Sequence, residues 1–111
     1  MAVIGRFARS PRYQGEGSSR INPTKLDTAY TEIAKLLGDG TELLYADGYS
    51  ETDEPDEERI QEAVQTARGA EAAIVFAGLP ASYESEGFDR THLDLPPSHN
   101  ELIESVCRAQ P

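Results

Sequence analysis

The chain has 111 residues, with 10 basic and 20 acidic side chains and a formal net charge of −10 at pH 7. This length predicts one domain, because domains shorter than about 50 residues rarely hold a core alone. The acidic balance excludes nucleic acid and anionic membrane surfaces as expected partners, since both carry negative charge. The longest apolar runs are also far shorter than the roughly 20 residues that cross a bilayer.

The single cysteine, Cys107, excludes an internal disulfide and a cysteine-based zinc site. We predict that it is a small core residue of a C-terminal helix. His92 has no second histidine or cysteine at ligand spacing, so no metal is expected. One free cysteine and no leader favour a cytoplasmic location. Both ends nevertheless look cut, since an apolar run begins directly after Met1 and the chain stops at Pro111.

Three apolar runs predict strands at residues 2–7, 42–46 and 72–79. Their hydrophobicity is continuous rather than alternating, which indicates strands buried on both faces, as in a parallel sheet. Each run is followed by a segment with helical periodicity. The order βαβαβα predicts an α/β fold, a three-layer sandwich with a mainly parallel sheet.

The first predicted helix begins with Thr24 and Asp27 as a capping pair and ends at Gly38. Its apolar face has residues spaced three and four apart: Leu26, Ala29, Ile33, Leu36 and Leu37. The second helix is expected to open at residues 56–58 and the third at residues 96–98, where two prolines precede a serine.

Two loops are much longer than the usual two to six residues: loop one, residues 8–23, and loop three, residues 80–97. Both leave the carboxyl ends of strands, so in a parallel sheet they emerge at one edge. With the flavodoxin-like strand order 2-1-3, they are neighbours where the order reverses, and ligands bind in the crevice at such a point.

Loop one contains the turn Gly15-Glu-Gly17, which is not a dinucleotide fingerprint because Arg20 occupies the place of its third glycine. No Gly-Lys-Ser/Thr follows either, so no nucleotide cofactor is expected. A tight turn and a ligand-binding loop remain equally open for this segment. In loop three the carboxylates can be merely solvated, and Asp89 beside Arg90 can be a routine ion pair.

Several motifs occur in a familiar order: VIG at 3–5, GEGSS at 15–19 with NP at 22–23, AGL at 77–79, SEGFDR at 85–90 and LDLP at 93–96. Together they resemble the α/β sandwich domain of glycoside hydrolase family 3, the β-glucosidases and their relatives. The likeness covers almost the whole chain from residue 2 onward. SEGFDR followed by Leu-x-Leu-Pro is its specific part.

The resemblance implies an active site shared by two domains. A preceding barrel, absent from this chain, supplies the nucleophilic aspartate and most sugar contacts. The sandwich domain supplies the general acid/base glutamate from a loop, at the position of Glu86. Glu84 is a weaker alternative. Ser18 matches a serine that lies beside the sugar site in some members.

The remaining matched positions support the loops. Asp89 and Arg90 match a pair that braces the acid/base loop, and Gly87 allows a sharp turn beside the acid/base residue. Gly17 belongs to the glycine-rich turn of loop one. Phe88 is expected to shield the acid/base carboxyl from water.

The resemblance therefore implies that residues 1–111 are the first half of the sandwich domain of a retaining β-glucosidase-type hydrolase acting on terminal β-D-glycosidic bonds. The chain alone is then expected to be inactive. Its partner is a β-glucoside or oligosaccharide, bound through the missing barrel. The alternatives are a stand-alone sugar- or anion-binding module and a domain that acts by association, for example as a homodimer through the open edge of the third strand.

Overall fold

The computed structural model describes residues 1–15, 17–84, 87 and 89–111. Three strands form one parallel sheet: β1 (Ala2–Ile4), β2 (Leu44–Ala46) and β3 (Ala73–Val75). Their order is β2-β1-β3, which confirms the predicted 2-1-3 arrangement. In the central register, Val3 lies between Tyr45 and Ile74.

Each strand has only three residues, fewer than predicted. The chain turns out of β1 at Gly5, whose φ is +112°. The Gly5 N–H still donates to the Ala46 carbonyl at 2.9 Å. A Cβ at Gly5 would lie 2.1 Å from the Phe76 carbonyl oxygen, so this close approach of two backbones requires glycine. The apolar runs therefore continue past the sheet and pack as irregular chain.

Three helices flank the sheet: α1 (Ala29–Leu37), α2 (Glu57–Arg68) and α3 (Pro97–Ala109). The helices α2 and α3 pack against each other, and their apolar faces share one buried cluster with Ala2 and Ile4 of β1. Tyr45 points to the opposite face, because side chains alternate along a strand. Its ring meets Tyr30 of α1 edge-on at 5.4 Å, so α1 covers the second face.

The start of α1 was predicted wrongly. Thr28, not the Thr24–Asp27 pair, is the N-cap, and its side chain accepts a hydrogen bond from the Thr31 N–H at 3.2 Å. Leu26 lies before the helix and is exposed, and Leu36 of the predicted apolar face is 87% exposed. The helix ends before Gly38 at φ +64°, as expected.

The other two helices begin where the sequence indicated. Asp56 caps α2 by accepting from the Arg59 N–H at 3.2 Å, and a proline occupies the first turn of α3. Leu102 and Val106 of α3 are buried, but Cys107 is exposed, so its prediction as a core residue was wrong. Cys107 follows Val106 and is therefore rotated by about 100° from the buried face. None of the helices within the described residues is both long and apolar enough to cross a membrane.

Candidate functional site

The chain segments that leave the three strands are joined at the carboxyl edge of the sheet by one tyrosine. Tyr49, three residues after β2, is 1% exposed. Its hydroxyl donates to the Phe76 carbonyl at 2.7 Å and accepts from the Phe7 N–H at 3.3 Å. Burial raises the pKa of Tyr49 to about 12, so the hydroxyl remains a donor at neutral pH.

A buried histidine of α3 completes this edge. The ring of His99 lies 3.9 Å from that of Tyr49, between centroids, and its Nδ1 accepts the Gly78 N–H at 3.2 Å. Nδ1 is therefore the unprotonated nitrogen of a neutral ring. Burial lowers the pKa of His99, against the opposing effect of the Asp53 carboxylate. The side chains of Tyr49 and His99 thus fix where the chain leaves each strand.

The sequence interpretation missed both residues. The signals present were weak: Tyr49 follows a glycine just after a strand, and His99 precedes Leu102 by three positions on the helix. Gly48 has φ +75°, and a Cβ there would lie 2.7 Å from Leu102 Cδ2. This glycine lets the chain turn over α3 and carry Tyr49 inward.

Loops one and three are brought together by Arg12, as the topology predicted. Arg12 Nη1 donates to the Leu79 carbonyl at 3.3 Å and to Glu84 Oε2 at 3.0 Å. Nη2 donates to the Glu84 carbonyl at 2.9 Å. The Arg12 side chain is only 18% exposed. One guanidinium thus joins both loops where the strand order reverses.

A crevice of about 340 Å³ opens at the same edge. Its walls come from loop one, from the β2–α2 connection and from loop three, and they include Arg6, Ser10, Arg12, Thr52 and Ser82. Each of the two arginines is paired with a carboxylate, Arg6 with Glu51 at 2.7 Å and Arg12 with Glu84 at 3.0 Å. The crevice walls therefore combine hydroxyl groups with neutralised charges.

The predicted acid/base residue, Glu86, lies outside the described residues, as does Phe88. The alternative candidate, Glu84, is placed in contact with Arg12. Gly87 has φ +77° and nothing within 4 Å of a Cβ, so the backbone conformation alone favours glycine there.

Asp89 and Arg90 line a second cavity of about 250 Å³. Arg90 Nη2 donates to the Asp94 carbonyl at 3.2 Å, which closes the end of loop three on itself. Bracing of the acid/base loop by these two residues stays a prediction, because Glu86 lies outside the described residues.

Gly17 and Ser18 belong to an exposed helical turn, Gly17–Ser19, in loop one. Gly17 has φ +73°, and its carbonyl accepts from the Arg20 N–H at 3.2 Å. A role of Ser18 in sugar binding stays a prediction. No group of three or more His, Cys, Asp or Glu side chains could hold a metal ion within the described part of the chain.

Several known proteins are similar to this chain over nearly its whole length. A thermostable β-glucosidase B of Acetivibrio thermocellus is 54% identical over 111 residues, 99% of this chain and 15% of that protein. An exo-α-(1→6)-L-arabinopyranosidase of Bifidobacterium longum is 44% identical over 110 residues, 98% of this chain and 14% of that protein.

The crystal structure of a GH3 β-glucosidase from Bifidobacterium adolescentis superposes with a TM-score of 0.82 at 42% identity, over 98% of this chain and 16% of that one. The chain thus spans about a sixth of the length of such relatives. The model of the glycosyl hydrolase family 3 C-terminal domain matches residues 1–111. Because this model covers the whole chain and the fold agrees with that of the solved relative, the chain belongs to glycosyl hydrolase family 3, within the C-terminal domain of that family.

Proposed function

We propose that this chain supplies the general acid/base loop of a retaining β-glucosidase-type hydrolase, which cleaves terminal β-D-glycosidic bonds. The observation that carries the proposal is the Arg12 bridge, which holds loop three at the carboxyl edge two residues before Glu86. β-Glucosidases among the relatives support the substrate class.

The proposed mechanism divides two carboxylates between two domains. Retaining glycosidases need them about 5–5.5 Å apart, on either side of the glycosidic bond. A nucleophilic aspartate of a barrel domain attacks the anomeric carbon while Glu86 protonates the departing oxygen. Glu86 then takes a proton from the water that hydrolyses the glycosyl-enzyme intermediate. A general acid of this kind works best when burial and a neighbouring carboxylate raise its pKa toward neutrality.

The other matched residues have supporting roles in this proposal. Ser18 presents its hydroxyl to the sugar from loop one. Gly87 lets the chain turn directly after Glu86, and Asp89 with Arg90 braces the following segment. The barrel, not this chain, then selects most of the sugar.

The acid/base assignment is tested by Glu86→Ala in the full-length enzyme. Loss of the acid should slow hydrolysis by 10²–10⁴-fold for aryl glucosides with poor leaving groups and much less for activated ones, because only the former need protonation. Added azide should restore turnover and yield a glycosyl azide. Glu104→Ala, which removes an exposed carboxylate of α3 that pairs with Arg108, serves as the matched control and should keep the wild-type leaving-group dependence. Equal losses for good and poor leaving groups in Glu86→Ala would show that Glu86 is not the acid/base.

Residues 1–111 alone should not hydrolyse glycosides, because the proposed nucleophile belongs to another domain. The measurement is release of nitrophenol from an aryl β-glucoside by the purified chain. Turnover that disappears in Glu86→Gln would overturn the division of the active site between two domains.

A second function is a stand-alone sugar-binding module, favoured by the crevice of about 340 Å³. Because both arginines in its walls are paired with carboxylates, a neutral sugar suits it better than an anion. Titration with glucose and, separately, with phosphate should then shift the amide resonances of Ser10, Thr52 and Ser82 only with glucose. No shift with either would exclude this function.

A further inference from the structure

We propose that Arg12 is a positioning residue that sets the acid/base loop against the bond to be cleaved. This inference rests on the proposed function. Arg12 stands in loop one, yet its three hydrogen bonds within the described part of the chain go to Leu79 and Glu84, on either side of a turn in the first part of loop three.

The contacts of Arg12 lie at both ends of a short segment of loop three. Between Leu79 and Glu84 lies one helical turn, Ala81–Tyr83, closed by the Tyr83 N–H donating to the Pro80 carbonyl at 3.0 Å. Because Arg12 binds backbone carbonyls at both ends of this turn, the turn cannot move without breaking those bonds. Glu86 follows the second attachment point by two residues, a span of at most about 7 Å of chain.

Loop one is also attached to the sheet, three residues before Arg12. The guanidinium carbon of Arg9 lies 3.5 Å from the Tyr45 ring centroid and 4.1 Å from that of Tyr30. Stacking on the Tyr45 ring holds this part of loop one against β2. Loop one thus connects the sheet, through Arg9 and Arg12, to the first part of loop three.

Arginine is the residue type that this role requires. Its planar fork reaches three acceptors at once, whereas the ammonium of lysine is a single point of charge. At 18% exposure, the Arg12 side chain is also far less solvated than an ordinary surface ion pair. Glu84 in this arrangement is the partner of Arg12, and Glu86 is left for proton transfer.

The test uses the full-length enzyme with Arg12→Ala, Arg12→Lys and the control Arg108→Ala. The control removes an exposed arginine that pairs with Glu104 at 2.8 Å within α3. Displacement of the acid by about 1 Å costs on the order of 100-fold. We therefore expect Arg12→Ala to lower kcat/KM by 10- to 100-fold for phenyl glucosides and only a few-fold for 2,4-dinitrophenyl glucosides. Arg12→Lys should recover a minor part of the loss, and Arg108→Ala should match wild type.

Amide hydrogen exchange in the same variants reports, independently of activity, how well the turn at residues 79–84 is protected from opening. Exchange in peptides covering residues 79–84 should be faster in Arg12→Ala than in wild type. If Arg12→Ala does not fold, Arg12→Lys carries both measurements.

The possible failures can be told apart. An unchanged leaving-group dependence in Arg12→Ala, in an enzyme where Glu86→Ala does change it, overturns the positioning role alone. Full recovery of kcat/KM in Arg12→Lys would show that the planar guanidinium is not required. If Glu86→Ala slows the hydrolysis of good and poor leaving groups equally, the proposed function fails. The catalytic role of Arg12 then fails with it, whatever the exchange data show.

Discussion

The buried histidine at the carboxyl edge makes folding stability depend on pH. His99 is 3% exposed, and burial lowers its pKa below the ordinary value of 6.5, although the Asp53 carboxylate opposes this shift. The unfolded chain then binds more protons than the folded one just below pH 6.5. The neutral, buried His99 therefore contributes its full share of stability above pH 6.5. This share is lost as the pH falls through the pKa that His99 has in the folded state.

We expect the free energy of unfolding to decrease from pH 7 to pH 5.5, by at most about 1.4 kcal/mol per pH unit from this group. Urea denaturation at several pH values measures it. The decrease should be absent in His99→Gln, whose amide oxygen can still accept the Gly78 N–H, and present in His92→Gln, which alters an exposed histidine. The same slope in His99→Gln as in wild type would contradict this account.

The helices differ in how firmly the sheet holds them. Four residues of α2 are buried: Ile60, Ala63, Val64 and Ala67. None of α1 is fully buried, although its sequence is more apolar. Since helices shorter than about 12–15 residues are marginal without tertiary packing, α1 depends on its cap and on a few ring contacts.

We predict that amides of α1 exchange with solvent at least tenfold faster than those of α2, as measured by hydrogen exchange. Thr28→Ala removes the α1 cap and should accelerate exchange in α1 further, because losing an N-cap lowers the stability of a helix by about 1 kcal/mol. Asp56→Ala removes the equivalent cap of α2 and should leave α1 unchanged. Equal exchange in α1 and α2 would contradict the weak attachment of α1.

Most of the fold could be predicted because continuous apolar runs and helix caps are local signals. The start of α1 could not, since Thr24, Asp27 and Thr28 are all good capping residues and only tertiary contact selects among them. Leu26 shows the same difficulty: it has the spacing of the apolar face, but it precedes the helix and is exposed.

The candidate site was predictable to the extent that topology controls it. A parallel sheet with order 2-1-3 brings loops one and three together whatever they contain. The residues that join them were not predictable, because Arg12 makes contacts 67 and 72 positions away and no local pattern marks them. Tyr49 and His99 were missed for the same reason.

At the scale of the whole molecule, β3 has an open outer edge within the described part of the chain, where its pairing is with β1. Its central residue, Ile74, is 38% exposed. An unpaired edge strand with exposed apolar surface is a template for another strand. We propose that residues 1–111, when isolated, form a symmetric dimer across this edge.

Light scattering of the isolated chain should then report a dimer. Ile74→Lys should give a monomer, because charge on an edge strand opposes pairing. Leu93→Lys is the control, since Leu93 is 91% exposed but lies outside the sheet. A stable wild-type monomer whose β3 amides all exchange slowly would contradict the dimer.

The bridge from Arg12 to Leu79 and Glu84 also bears on how such glycosidases can be recombined. If loop three alone is replaced, the Arg12 guanidinium faces a backbone that it does not fit. If loop one alone is replaced, the carbonyls of Leu79 and Glu84 lose their donor. Chimeras in this family should therefore exchange residues 8–23 and 79–97 as a single unit.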